Sequence, residues 1–279
     1  MINRMIEIGV ATADLKRTGD QLSQILGAQP GPVINGSEFG MRAQMFRVGN
    51  IEFELMEPVT RESLIAAFLE TRGEGLHHLA FQVENIEQTI VWMKQRGLKM
   101  IHEKPISIEG FKAAFVHPVS LGGVLVELIE GEPMWVDHSF LPEELRRTEP
   151  VKGVGAEGLL EVGILLPEST TAEEVYSKVF PSRAVSVRSL SGAKAYRAGN
   201  VSLHLIESGN QDVFLSLLPS SGEPGLKYVI LQVTDLEAAI FYLNENRISF
   251  DKCTDAGSRF LFVYPKDLSG LPVFLTHET

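Results

Sequence analysis

Two periodicities alternate along this chain. Short runs in which apolar and polar residues take turns, such as AQMFRV (43–48), IEFELM (51–56), AAFVHP (113–118) and VLVELI (124–129), read as strands with one buried face. Four other segments space their apolar residues by three and four and read as helices: ADLKRTGDQLSQILG (13–27), ENIEQTIVWMKQRG (84–97), STTAEEVYSKVF (169–180) and TDLEAAIFYLNENR (234–247). Each follows a strand and opens on an Asp, Asn or Thr suited to capping a helix N-terminus, and glycine closes the first two. A strand, a helix and then alternating strand-length segments make a βαβββ unit.

The unit recurs. RVGNIEFELMEP (47–58) aligns without gaps on RAGNVSLHLIES (197–208), and GLHHLAFQVENIEQTI (75–90) on GLKYVILQVTDLEAAI (225–240), both at an offset of 150. FVHPVSLGGVLVEL (115–128) aligns on FVYPKDLSGLPVFL (262–275) at 147. Within the first half, MIEIGVATADL (5–15) lies on HHLAFQVENI at 71 and IEFELMEP on VLVELIEG at 73, so four modules fill the chain. The expectation is an α+β fold of two domains, 1–131 and 158–279. A Pro-, Gly- and charge-rich linker over 132–157, with a solvated ELRR cluster at 144–147, joins them.

Alternate residues of a strand share a face, which sorts the repeated strands. In GLHHLAFQV, Leu79, Phe81 and Val83 form the face under the helix and His78 points the other way. In MIEIGVA, Ile6, Ile8 and Val10 oppose Glu7; in IEFELM, Ile51, Phe53 and Leu55 oppose Glu52 and Glu54; in VLVELI, Val124, Val126 and Leu128 oppose Glu127. The inner repeat pairs position 7 with 78 and 54 with 127, so these four side chains are expected to converge in one cup about a pseudo-twofold axis. Three carboxylates in a partly dry cup repel one another and raise their pKa values, and a divalent cation relieves that most simply. One His nitrogen with carboxylate oxygens suits Zn, Co, Mn, Ni or Fe(II). The same alternation also fits acids on the open face of an antiparallel sheet, and periodicity leaves both readings standing.

Charge narrows the partners. With a net charge of -11 and no Lys/Arg run, the chain is not expected to bind nucleic acid or an anionic membrane, and no apolar run is long enough for a membrane span. Cys253 is the only cysteine, a plain loop or core residue by its surroundings, and MINRMIEIGV lacks the apolar run of a signal peptide; the expected compartment is the cytoplasm. A small-molecule partner remains.

GEGLHHLAF (73–81), VHPVSLGGVLVELIE (116–130), VGNIEFELMEP (48–58) and LIAAFLETRGEGL (64–76) together closely resemble the methylmalonyl-CoA epimerases of the vicinal oxygen chelate (glyoxalase/bleomycin resistance/dioxygenase) superfamily, over about residues 5–131. The resemblance implies paired βαβββ modules forming cupped mixed sheets around a divalent metal. It places metal ligands on Glu54, His78 and Glu127, and on Glu7 where the family strand carries a histidine. It implies an acyl-CoA or α-oxo substrate whose enolate the metal stabilises, with Glu127 and Glu7 as the groups that move the proton. Ala43 or Gln44 falls near where some members carry a second catalytic glutamate, and neither can act as a base. The second half resembles the superfamily weakly: Glu161, His204, Tyr228 and Phe274 stand for Glu7, Glu54, His78 and Glu127, a set expected to have lost the metal while Glu161 with His204 keeps at most weak affinity. An epimerase, isomerase or lyase is the leading expectation; an extradiol-type dioxygenase and a drug-sequestering binding protein of the same superfamily are the alternatives. Four modules in one chain can replace the dimer of two-module relatives, and exposed sheet edges can still pair chains, so monomer and homodimer both stand.

Overall fold

A computed structural model of the chain describes residues 2–36, 39–108, 110–131, 133, 153–168, 170–180, 194–209, 212–218 and 222–277. The first half runs β1 (Ile2–Ala11), α1 (Leu15–Leu26), β2 (Gln29–Gly36), β3 (Met41–Val48), β4 (Ile51–Pro58), α2 (Leu64–Arg72), β5 (Gly75–Val83), α3 (Ile86–Gln95), β6 (Ile106–Ile108), β7 (Phe111–Val116) and β8 (Leu125–Gly131). The second runs β9 (Ala156–Leu165), α4 (Ala172–Tyr176), β10 (Lys194–Ala198), β11 (Val201–Ile206), α5 (Val213–Ser216), β12 (Gly225–Val233), α6 (Leu236–Glu245), β13 (Phe250–Asp255), β14 (Ser258–Val263) and β15 (Val273–Thr276). Most of the expected linker, with its ELRR cluster, lies outside the described residues; β9 opens at Ala156.

The helices start where the capping residues stand. Asp14 accepts from the Arg17 N–H, Asn85 from Gln88, Asp235 from Glu237 and Ala238, and Thr171 with Glu174 forms a reciprocal capping box. α4 is shorter than the 169–180 pattern and ends at Tyr176, whose ring is buried, as is that of Phe180 beyond it. Two mixed sheets result, ordered β2-β3-β4-β1-β5-β8-β7-β6 and β10-β11-β9-β12-β15-β14-β13. In the first, β1 pairs parallel with β4 and antiparallel with β5, and β5 pairs parallel with β8. In the second, β9, β11, β12 and β15 repeat this pattern.

Each sheet turns one face to its helices and curls the other into a cup. Leu79, Phe81, Val83, Ile8, Val10, Phe53, Leu55, Val126 and Leu128 join one apolar core, as the alternation predicts. Ile6 does not: it sits with Met45, Ala80, Ala113 and Ile129 on the cup side. The cause is a register irregularity between Met5 and Glu7, since one extra residue in a strand moves its neighbour to the other face. α2 is an addition to the expected modules; it packs Ile65, Phe68 and Leu69 over Ala11, Ala43 and Met56 and closes one end of the first cup.

The two halves share their core. Phe81 of β5 lies 5.7 Å from the ring of Phe180, and the Tyr176 hydroxyl donates to the Leu121 carbonyl at 3.2 Å. The Gly-Asn pair found in both copies of the repeat makes reciprocal clasps. Asn50 accepts from the Leu159 N–H at 2.8 Å and donates to its carbonyl at 3.4 Å, while Asn200 accepts from the Met5 N–H at 2.9 Å. Among the described residues no helix is long and apolar enough to cross a membrane.

Candidate metal centre

The register brings four polar side chains to the floor of the first cup. Gly9 of β1 stands opposite both Glu54 of β4 and His78 of β5, Glu7 lies two residues along β1, and Ala80 pairs with Glu127 of β8. His78 Nε2 lies 3.2 Å from Glu127 Oε2, 3.5 Å from Glu7 Oε1 and 3.7 Å from Glu54 Oε2. All four residues are almost sealed from water, at 3%, 8%, 1% and 9% exposure for His78, Glu127, Glu7 and Glu54. The open-face reading of the alternation is therefore set aside. Donor atoms of Glu7, Glu54 and His78 lie mutually within 4.8 Å, and Glu127 approaches the same nitrogen from the far strand.

Gly9 makes room for the histidine. A Cβ there would lie 2.0 Å from His78 Nδ1, so the ring rests flat over bare backbone. On the other side His77 occupies a bulge, with Gly9 opposite His78 and Val10 opposite Leu76. Its Nδ1 lies 3.0 Å from His78 Nδ1, and its ring packs edge-on against Phe68 at 4.8 Å. Neither contact is visible in the alternation, because the bulge removes His77 from the two-residue period.

Charge in this cup is compensated only in part, by one imidazole against three carboxyl groups. Burial, then Glu7, lifts the Glu54 carboxyl well above the usual range, with Glu127 adding to it; His78 pulls the other way. Burial also raises Glu127, against the opposing contact with His78. Burial would by itself lower the His78 imidazolium, but Glu127 and Glu7, then Glu54, outweigh it and carry the pKa to about 10. Burial pushes His77 down to about 3, with the His78 charge adding to the effect. Glu52, paired with Glu7 across β1 and β4, is lifted by burial to about 8 even with Arg47 at 3.8 Å.

These residues fit a divalent ion. His78 Nε2 is buried and points at three carboxylates without the geometry of a directed hydrogen bond, an arrangement costly in a dry site unless a cation, either a proton on the ring or a metal ion in its place, sits between them. One imidazole with carboxylate oxygens is a donor set for borderline and hard divalent metals, and His77 meets the usual need for a partner on the other ring nitrogen. Gln44 donates to the Gly31 carbonyl, and Ala43 is buried under α2.

The second cup keeps the register and changes the chemistry. Tyr228 stands opposite Gly163, His204 opposite Gly163 on the other side, and Phe274 opposite Ile230, matching His78, Glu54 and Glu127. A Cβ on Gly163 would meet Tyr228 Cζ at 2.3 Å, as one on Gly9 would meet His78. Phe214, Phe260, Phe262 and Phe274 fill the hollow. His204 Nδ1 lies 2.7 Å from the Tyr228 hydroxyl and His204 Nε2 4.0 Å from Asp212. Burial drops His204 to about 4 and raises Glu161 to about 7. Cys253 lies half-buried in β13 at the edge of this aromatic cluster, its thiol raised to about 11 by burial.

Comparison with known proteins agrees with this division. Human mitochondrial methylmalonyl-CoA epimerase is 33% identical over 129 residues, 46% of this chain and 73% of that protein. Ethylmalonyl-CoA/methylmalonyl-CoA epimerase of Cereibacter sphaeroides is 31% identical over 131 residues, 46% of this chain and 98% of its own. A mutant of 4-hydroxymandelate synthase from Streptomyces coelicolor superposes over 99% of this chain and 92% of its own with a TM-score of 0.72, at 16% identity, a likeness of fold alone. The epimerase matches thus fall on the N-terminal half, and the synthase shares the arrangement of both halves. Residues 7–115 match the family profile, and with a relative one-third identical over most of its length the chain belongs to the Glyoxalase/Bleomycin resistance protein/Dioxygenase superfamily.

Proposed function

We propose that this protein is a metal-dependent epimerase or isomerase that enolises a small acyl-CoA of the malonyl type, in a class that also takes in lyases of α-oxo compounds. The observation that carries the reading is the buried His78 nitrogen facing Glu7, Glu54 and Glu127 without a directed hydrogen bond. The likeness of the first half to methylmalonyl-CoA epimerases supports the substrate class. His78 and Glu54, with Glu7 and Glu127, would hold the ion, whose Lewis acidity favours negative charge on a thioester oxygen as an α-proton leaves.

The remaining work falls to the chain. Inverting a carbon centre requires one group to take the proton and another to return it from the opposite face. Glu127 and Glu7 come from different strands and approach His78 Nε2 at 3.2 Å and 3.5 Å, so they are the two candidates. A carboxyl raised by burial, as Glu127 is, holds and releases a proton nearer neutral pH than an exposed one. Ile6, Met45, Ala80 and Ile129 form an apolar cluster on the cup side of the sheet, which limits competing protonation by water.

The test is proton exchange. Protein loaded with Co(II) or Zn(II), at one ion per chain by elemental analysis, should wash deuterium from D2O into methylmalonyl-CoA, and Glu127→Gln should slow this by roughly 10²- to 10⁴-fold. A loaded protein that exchanges no faster than buffer sinks the epimerase. A protein that takes up no ion when metal is supplied favours the metal-free binding reading instead. Activity that appears only with Fe(II) and O2 on a catechol favours the dioxygenase.

A further inference from the structure

A cavity of about 400 Å3 lies where the two halves meet, at the N-terminal ends of β5 and β12. Gly75 and Leu76 line it from one half, Leu226 and Lys227 from the other, so it straddles the axis relating the repeats. Phe68, Leu76, Leu226 and Pro272 give it apolar walls. Phe68 also packs edge-on against His77, and none of Glu7, Glu54, His78 and Glu127 lines the cavity, so it lies beside the carboxylate cup and outside it.

Its charges do not cancel. Arg72 donates to the Pro224 carbonyl at 3.3 Å and lies 3.8 Å from Glu223, whose side chain is 75% exposed at the rim. Glu74 also lines the cavity, but its carboxylate is taken by the Arg17 guanidinium, the Ala13 N–H at 2.7 Å and the Thr12 hydroxyl at 3.0 Å. Lys227 is half-buried and has no ion-pair partner among the described residues. Burial, with Arg72 nearby, lowers its pKa, and the Glu223 carboxylate offsets this only in part. The repeat places Lys227 where the first half has His77; there the side chain turns to its neighbouring imidazole, and here it lines a hollow. Glu223 is the acid that acts on Lys227, but it is exposed and shared with Arg72, so a half-buried ammonium group against apolar walls is further stabilised by a ligand that brings a negative charge.

We propose that this inter-domain cavity binds an organic anion, its apolar body between Phe68, Leu76, Leu226 and Pro272 and its carboxylate, sulfonate or phosphate against Lys227, with Arg72 alongside. The site is independent of the chemistry assigned to the cup. Both halves build it, so the duplication itself creates it.

The full-length protein can be titrated with 1-anilinonaphthalene-8-sulfonate, an apolar body with a fixed negative charge, followed by fluorescence. One saturable site per chain is expected, weakened at least about tenfold by Lys227→Met, the effect of one partly desolvated charge-assisted contact. Binding of the uncharged N-phenyl-1-naphthylamine should be unchanged in that variant. Leu226→Trp, which fills the cavity, should remove both probes. An unchanged zinc stoichiometry in Lys227→Met separates this result from any failure of the metal cup. Absence of saturable binding to the wild-type protein, or equal sulfonate affinity in wild type and Lys227→Met, would overturn the proposal; if that variant proves poorly folded, Lys227→Gln takes its place under the same criteria.

Discussion

Gly9 shows how one absent side chain sets the position of a functional one. The His78 ring lies against the Gly9 backbone, and a Cβ there would be 2.0 Å from Nδ1, so Gly9→Ala must drive the imidazole from the floor of the cup. We expect Zn(II) affinity, read by competition with a chromogenic chelator, to fall by at least 10- to 100-fold, the usual cost of disturbing a ligand's orientation, with a stability loss of about 1–3 kcal/mol from overpacking. Gly163→Ala is the internal control: it presses Tyr228 in the second cup, should cost similar stability and should leave Zn(II) affinity alone. Equal metal affinity in Gly9→Ala and wild type would show that His78 is not held as described. The cup positions of residues 7, 54, 78 and 127 were legible in the sequence because a two-residue period fixes the face. Ile6 and His77 were not, because each sits at a register irregularity that a period cannot reveal. Glu52 was visible as an acid on the cup face, but its pairing with Glu7 needed the β1–β4 register.

At the scale of elements, the same strands carry opposite contents in the two halves. β5 and β8 deliver His78 and Glu127 to one cup, and β12 and β15 deliver Tyr228 and Phe274 to the other, where α5 adds Phe214 within 5.2 Å of Tyr228 and 4.7 Å of Phe274. The repeat made this substitution legible, whereas α2 went unread because LIAAFLETR has apolar residues on both sides, with Leu64 exposed and Ile65 buried. The aromatic filling isolates His204 and gives the second half its own pH response. Burial holds that imidazole at about 4 against an ordinary 6.5, so between these values the unfolded chain binds a proton the native chain refuses, and stability falls with pH. Glu161 acts in the opposite sense: its carboxyl, raised from 4.5 to about 7, binds the proton in the native chain, and its contribution is lost as pH rises through that window. His204→Gln keeps an acceptor for Tyr228 and cannot titrate. Urea unfolding from pH 6.5 to 4 should show the wild type losing on the order of 3 kcal/mol more than this variant; parallel losses would mean that His204 is not buried in its neutral form.

For the whole molecule, the question is whether two sheets built from one repeated unit unfold as one. Their apolar core is continuous, with residues of α1 and α3 and of α4 and α6 in the same cluster, and the Gly-Asn turns lock each half onto the first strand of the other. Neither turn tolerates a side chain on its glycine: a Cβ on Gly49 would fall 1.5 Å from the Glu157 carbonyl oxygen, and one on Gly199 would fall 2.4 Å from that of Asn3. The repeated RVGN and RAGN segments are thus the seam of the duplication, a role the alignment displayed without saying what the residues hold. The chain carries its own probes for the test, since Trp92 and Trp135 precede the second sheet and all five tyrosines, Tyr176 to Tyr264, follow its first strand. Tryptophan fluorescence and tyrosine near-ultraviolet dichroism should therefore report a single urea midpoint. Asn200→Ala removes the acceptor of the Met5 N–H, and Asn50→Ala that of Leu159; each should lower stability by about 1–3 kcal/mol, the cost of a stranded backbone donor. Because the core is shared, each substitution should move both signals together, although Asn200 stands in the second half and Met5 in the first. Separate midpoints in the wild type, or an Asn200→Ala shift seen by the tyrosines and not the tryptophans, would show that the halves are stable alone and that the clasps merely align them.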